Sequence, residues 1–369
     1  MAELTAGLDF RLPEHRRETF LRFYSFHLKY RTHPGCVYFL LPAMAEALGW
    51  DLEQRLWAAY LNGNTQNPVT TLLLMEAGDR PAQADRVVAF WKEHWQRLQW
   101  DTDRRHHKGK LDIAAQSYVG ITQHYGTQER FWRSAAEEGW GSCWTQARSL
   151  WGFGRLSAWS YLEYVRILAR PEVAMPDAAD LMLEDVDGSR SHRNGLCVVT
   201  GRPEWLWDDT LAPGSTAQYT PDRLEALGDA AESLLAEAQA RNADSPDVGR
   251  LTLESALCTY KSWHKPNRRY PNVYADMLYE RLRWAEERWG HRFDLLWEAR
   301  ARALPAELLL ERNPYDPGLA PPKQNHYLET GQVVMMDLDW PCFANDFAAN
   351  VRARVYGPRE ATTAQGQLL

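Results

Sequence analysis

The chain has 369 residues, of which 45% are hydrophobic and 25% charged, so it has ordinary globular composition and apolar material for one large or two moderate domains. Its net charge of −7 excludes a uniformly basic nucleic-acid coat, although clustered positive charge can still meet phosphates. No stretch of about 18 uncharged apolar residues occurs, and the first residues lack a signal peptide's apolar core, so a soluble intracellular protein with no membrane partner is expected. Five scattered cysteines without C-x-x-C spacing indicate neither a disulfide framework nor a cysteine metal site. The 17 tryptophans are read first as large-ring core packing, with some able to stack bases.

From Glu14 to Tyr30, the spacing of Phe20, Phe23, Tyr24 and His27 predicts an amphipathic helix. Val37 to Leu48 forms a second, and a third opens at Asp51, where Gln54 completes a capping box. The polar run Asn62, Gly63, Asn64, Thr65, Gln66, Asn67 then reads as a turn, with Asn67 as N-cap and Pro68 as the first residue of the next helix. Amide side chains gathered at a helix N-terminus suit a carboxylate, a phosphate or a pyrimidine edge, or serve only as a well-capped connection. Pro81 is expected to start a long helix carrying Val87, Trp91 and Trp95 as far as Leu98.

That helix runs into DTDRRHHKGK, residues 101–110, read as a basic loop. Arg104, Arg105, Lys108 and Lys110 form a candidate phosphate-contacting patch, with a solvated loop as the competing account. Asp101 and Asp103 could hold a divalent cation, but two carboxylates beside two arginines more simply form an ion-paired cap, so no metal is assigned. Helices follow over Leu111 to His124, Gln128 to Glu138 and Leu156 to Leu168, the last with Tyr161 and Glu163 off its apolar stripe; Trp151 to Arg155 reads as a turn between helices. Asp185 to Cys197 is polar and turn-forming, and its crowding of Arg190, His192, Arg193 and Asn194 favours a site over a linker. Pro221 to Asn242 is a scaffold helix.

The stretch from Thr252 to Met277 concentrates the most chemistry. Leu253, Ala256, Leu257 and Tyr260 share one helix face, which places Glu254 and Lys261 on its rim as site candidates. Lys265, Arg268 and Arg269, flanked by Trp263 and Tyr270, bring phosphate donors next to aromatic rings; a solvated basic turn is the alternative. Beyond Pro314 the chain is proline-rich, with one extended run at Val333 to Met336. The fold class is mainly α, a multi-helix globular protein with irregular basic loops and little strand, organised as an N-terminal helical region (1–170), a C-terminal helical region sharing the site (171–345) and a polar tail (346–369).

Four strings, LNGNTQNPVT, DTDRRHHKGK, SRSHRNGLC and LESALCTYKSWHKPNRRYPNVYADM, together resemble the amino acid:DNA transferases of tailed bacteriophages, over roughly Phe20 to Trp340. The related thymine pyrophosphorylases, which install other amines, look similar. The resemblance implies that 5-hydroxymethyluracil in DNA, activated as a pyrophosphate ester, is substituted at its methylene carbon by an amino acid's amine. Glycine is the expected amino acid, no cofactor is implied, other phage DNA-modification enzymes are plausible partners, and the setting is the infected host's cytoplasm. Roles follow from matching this chemistry to residue type. A flipped base needs amide partners, which Asn62, Asn64, Gln66 and Asn67 can supply. Departing pyrophosphate needs cations, such as Lys261, Arg268 and Arg269, and an amino-acid carboxylate needs a guanidinium, such as Arg190 or Arg193. The amine must shed a proton, for which Glu254 and His192 are the candidates. A non-catalytic DNA-binding accessory protein and a base-flipping glycosylase stay open as alternatives.

Overall fold

Local sequence chemistry explains most helix boundaries in the computed structural model, which describes residues 13–30, 37–101, 104–185, 190–202, 205, 219–260 and 273–303. The order is α1 (Pro13–Tyr30), α2 (Val37–Leu48), α3 (Leu52–Thr65), α4 (Pro68–Ala77), α5 (Ala84–Glu93), α6 (Arg105–Lys108), α7 (Leu111–Tyr125), α8 (Gln128–Glu138), α9 (Trp140–Ser149), α10 (Arg155–Leu168), α11 (Arg190–Val199), α12 (Pro221–Arg241), α13 (Arg250–Tyr260), α14 (Val273–Trp289) and α15 (Asp294–Ala303). Among the described residues there is no strand, so the mainly α class holds. No helix there is long and apolar enough to cross a membrane. The capping box forms as expected, with Asp51 Oδ1 accepting from Gln54 N and Gln54 Oε1 from Asp51 N, both at 3.0 Å.

Three expectations are corrected. The helix from Pro81 is shorter than expected: a 3-10 turn at Pro81–Gln83 leads into α5, which stops at Glu93. Asn62 to Thr65 is the last turn of α3 rather than a loop, and the chain reverses only at Gln66, whose left-handed backbone (φ 47°, ψ 30°) closes the helix. The stretch from Arg190 onward is α11, its polar residues drawn into helix because partners on neighbouring elements satisfy them.

The tryptophans act chiefly as core. Trp57, Trp132 and Trp159 are fully buried, and Tyr60 stacks on Tyr118 with ring centroids 3.7 Å apart. α3 packs along α10, α11 along α13, and α1 against α11, α12 and α13. Tyr24 of α1 ties that group together: its hydroxyl lies 2.7 Å from Thr252 Oγ1 and 3.0 Å from the Gly249 carbonyl.

Two glycines set the approach that matters most. A Cβ on Gly195 would sit 2.2 Å from the Leu257 carbonyl oxygen, so only glycine lets α11 cross α13 this closely. One on Gly249 would meet Asp177 Oδ2 at 2.5 Å. That carboxylate caps α13, accepting from Arg250 N at 2.7 Å and Leu251 N at 3.0 Å.

Candidate active site

The crossing of α11 and α13, with the first turn of α10 beside it, assembles a buried charged cluster. Glu254 Oε1 accepts from Arg155 Nη1 at 3.0 Å and lies 2.9 Å from His192 Nδ1. His192 Nε2 is 2.9 Å from the Leu181 carbonyl, and Arg155 Nε is 3.6 Å from Asp185. The His192–Glu254 contact has ion-pair distance but is too oblique for a well-formed hydrogen bond, since Nδ1 has no aligned partner. Glu254 was expected on the rim of its helix; instead it is 4% exposed. A side chain about a quarter turn from the apolar stripe faces solvent only on a surface helix, and α13 is enclosed by α1, α10 and α11.

Burial alone would raise the Glu254 carboxyl, but the charges of His192 and Arg155 and their contacts hold it down at about 2. Burial pushes the His192 imidazole below its ordinary value, against the pull of Glu254. Glu254 is therefore a standing anion. His192, held at Nε2 beside the Leu181 carbonyl and with Nδ1 next to Glu254, stands as a neighbour that positions that anion.

Next to this cluster, Ser255 Oγ donates to Glu163 Oε2 at 2.9 Å and approaches Glu254 Oε2 at 3.5 Å. Tyr164 follows Glu163 on α10, and the Gln66 amide lies against its hydroxyl. A buried polar track thus runs from the α3–α4 junction, through α10, to α13 and α11.

At its α3–α4 end the amides divide by role. Asn67 Oδ1 caps α4, accepting from Val69 N and Thr70 N at 3.1 Å. Asn64 Nδ2 donates to the Tyr60 carbonyl at 2.9 Å, and its Oδ1 lies 3.1 Å from His107 Nδ1. Burial, with smaller contributions from the charges of His106 and Arg104, lowers His107 to about 3, so it is neutral. Asn62 Oδ1 accepts from Thr71 Oγ1 at 3.0 Å.

The basic segment is placed differently from expectation. Arg104 is fully buried, its Nε donating to the Gly63 carbonyl at 2.9 Å, so it closes the C-terminal turn of α3 instead of presenting charge to solvent. Lys108 Nζ donates to the Leu98 carbonyl at 2.7 Å and lies over Trp95; burial lowers its ammonium. Lys110 is exposed, 5.6 Å above the Trp151 ring. Asp101 pairs with Arg281 of α14 rather than with the arginines beside it in sequence.

On α11, Arg193 is buried, donates from Nη1 to the Leu183 carbonyl at 3.0 Å and stacks 3.9 Å from the Tyr219 ring centroid. Tyr219 donates to Asn194 Oδ1 at 3.2 Å, and Arg190 is half-buried in the first turn. Asp103, Lys261, Lys265, Arg268, Arg269, Tyr270 and the Arg105 side chain lie outside the described residues.

Sequence reasoning singled out Glu254 and His192 but missed Arg155, Glu163, Ser255 and His107. Glu163 did carry a signal, a charge one position from the apolar Leu162 and two from Val165 on a helix rich in large rings. Arg155 carried none, because it reads as a turn residue until α10 is seen to begin there.

A helical protein with a buried acid, imidazole and guanidinium at a helix crossing has the makings of an enzyme site. The sequence model of the family described as "Amino acid:DNA transferase" matches residues 42–269, more than half of the chain and all the described elements of this site. The chain belongs to that family, and it is an enzyme that transfers an amino acid onto DNA. Among individual relatives, the "Serinyltransferase" of Salmonella phage ViI is 27% identical over 293 residues, covering 76% of this chain and 71% of that protein. No solved structure matches.

Proposed function

We propose that the enzyme joins the amine of a small α-amino acid to the 5-methylene carbon of a pyrophosphate-activated 5-hydroxymethyluracil in phage DNA within the infected host. The observation that carries this reading is the buried cluster of Glu254, His192 and Arg155, continued through Ser255 to Glu163. Buried ion pairs contribute little net stability, so a cluster of this kind is better accounted for by a charged substrate than by folding. The relative's name makes serine the first amino acid to test, with glycine beside it.

In the step, the amine lone pair forms the C–N bond, the C–O bond to pyrophosphate breaks, pyrophosphate leaves with the electron pair, and one proton leaves nitrogen. Glu254, held ionised, neutralises the ammonium as the amino acid is desolvated. Glu163, one hydroxyl away from Glu254, accepts the proton in this reading, in place of the candidates Glu254 and His192. Arg190, half-buried at the start of α11, is the guanidinium for the amino-acid carboxylate. Lys261, Arg268 and Arg269 meet the developing charge of pyrophosphate, and Lys110, Arg105 and Lys265 follow the DNA backbone.

Incubating the chain with an oligonucleotide carrying the activated base and isotope-labelled serine or glycine tests this. The expected product is a labelled thymine nucleoside, with one pyrophosphate released per adduct. Excision of the base, or pyrophosphate release without label in DNA, overturns the reading.

A further inference from the structure

On one face of the molecule, rings and cations meet outside the buried cluster. Lys110 is exposed, with Nζ 5.6 Å from the ring centroid of half-buried Trp151. Arg148, exposed on the last turn of α9, sits 6.0 Å from the ring of Trp144 one helical turn back, and Trp144 stacks on Trp140 at 5.9 Å. A Cβ on exposed Gly154 would come 3.9 Å from Arg148 Nη1, so the end of α9 lies against the loop that carries Trp151. Leu156, two positions on and in the first turn of α10, is 47% exposed.

Two features set this face apart from ordinary surface. Exposed arginines elsewhere end on carboxylates, Arg133 on Glu129, Arg241 on Glu18 and Arg283 on Glu286. Lys110 and Arg148 meet rings instead, with no carboxylate in ion-pair reach among the described residues, in a chain whose net charge is −7. A cation held against a ring and left without an anion keeps its charge for a phosphate, and a partly exposed ring keeps a face for a base. The second feature is position. Trp144 and Trp140 pack edge-on against Trp159 at 6.0 and 5.5 Å, and the Trp159 ring lies 5.1 Å from the Arg155 guanidinium that binds Glu254. One buried ring thus joins this face to the candidate active site.

Building on the proposed backbone role of Lys110, we infer that this face seats the single strand adjoining the target base: neighbouring bases stack on Trp151 and Trp144, and Lys110 and Arg148 hold their phosphates. Bases paired in a duplex keep their faces covered, so the strand here is unpaired, as it must be where a base is drawn out for chemistry. Stacking accepts every base, since each has a π-face, so the seat adds affinity without a sequence requirement. The acids nearest in sequence do not oppose it: Asp112 Oδ1 accepts from Ile113 N, and Glu137 and Glu138 end α8, across the length of α9 from Arg148.

The test is equilibrium binding of the full chain to short single-stranded oligonucleotides bearing one 5-hydroxymethyluracil, flanked on both sides by ordinary or by abasic nucleotides, with no activated base or amino acid present. Abasic flanks should weaken wild-type binding by about tenfold for each stacked base, roughly a hundredfold in all. Trp151→Ala should shrink that difference to about tenfold, and Trp144→Ala with Trp151→Ala should erase it, the non-additivity that marks a direct contact. Lys110→Ala and Arg148→Ala should each lower the logarithmic salt slope by a little under one, the value for a single-strand phosphate. No difference between the strands in the wild type, or an unchanged difference in Trp151→Ala, overturns the assignment. So does self-association of the wild type that the tryptophan variants abolish with DNA binding unchanged, which would give the face to a second copy. Trp144 packs on Trp159, so if its alanine variant does not fold, Trp151→Ala decides the matter. Because binding is read without turnover, a chain that shows the difference yet forms no adduct refutes the proposed reaction and not this seat, and one that forms adduct without it refutes the seat alone.

Discussion

Residues 104–110 and 190–197 are both short runs dense in arginine and histidine, yet the fold uses them in different ways. In the first, cations end on main-chain oxygens: Arg104 on Gly63 and Lys108 on Leu98. The last carbonyls of a helix have no partner within it, and a buried cation satisfies one at the end of α3. In the second, His192 meets a carboxylate from another helix, one that Arg155 also binds. Arg193 follows the first pattern, closing on the Leu183 carbonyl. A buried cation on a carbonyl completes a backbone, whereas a buried carboxylate shared by an imidazole and a guanidinium holds an arrangement of charge that folding alone does not require.

The contrast breaks most sharply at the helix crossing. Gly195→Ala puts a methyl 2.2 Å from the Leu257 carbonyl, so α11 must move off α13 and carry His192 away from Glu254. Stability should fall by roughly 3 kcal/mol or more, and amino-acid transfer should disappear, as read by thermal unfolding and product analysis. Retained transfer would mean that the two helices need not be this close.

Next in size is Glu254→Gln, which keeps shape and removes charge. Transfer per folded molecule should drop by about two to three orders of magnitude, the scale of a lost electrostatic group in an enclosed site. Normal single-turnover rates would show the cluster to be structural, like the Arg104 contact.

Arg104→Met and Lys110→Ala sharpen the comparison from the other side. Losing the bond to Gly63 should cost about 1–3 kcal/mol in denaturant unfolding and leave the salt dependence of DNA binding unchanged. Removing exposed Lys110 should leave stability alone and reduce the logarithmic salt slope by about one if it contacts a phosphate. A slope change for Arg104 instead would put its guanidinium at the DNA.

A further test is a pH dependence. Burial holds His107 at about 3 in the folded chain, below its ordinary 6.5, so the unfolded chain binds the extra proton first. Its contribution to stability is complete above pH 6.5 and is lost as pH falls toward 3, with a slope of up to about 1.4 kcal/mol per pH unit. In His107→Gln, unfolding followed across that window should show a shallower slope. An identical slope would mean that the imidazole is already charged in the fold.

By itself the sequence determined where most helices begin and which faces are apolar. Asp51 with Gln54, Asn67 with Pro68, and Thr220 with Pro221 mark starts by local hydrogen bonding that no distant contact has to supply. It also brought forward Glu254 and His192, because charges inside apolar or turn-rich stretches stand out. Tertiary structure alone decided which polar residues were enclosed and with whom. Arg104 read as a phosphate contact on an open loop and Glu254 as rim because local pattern reports only a segment's own faces; burial depends on whether other helices cover them. Glu254, His192 and Arg155 come from three helices and lie up to 99 positions apart. Their meeting depends on the close α11–α13 crossing that Gly195 permits, a distance between backbones that no local pattern encodes.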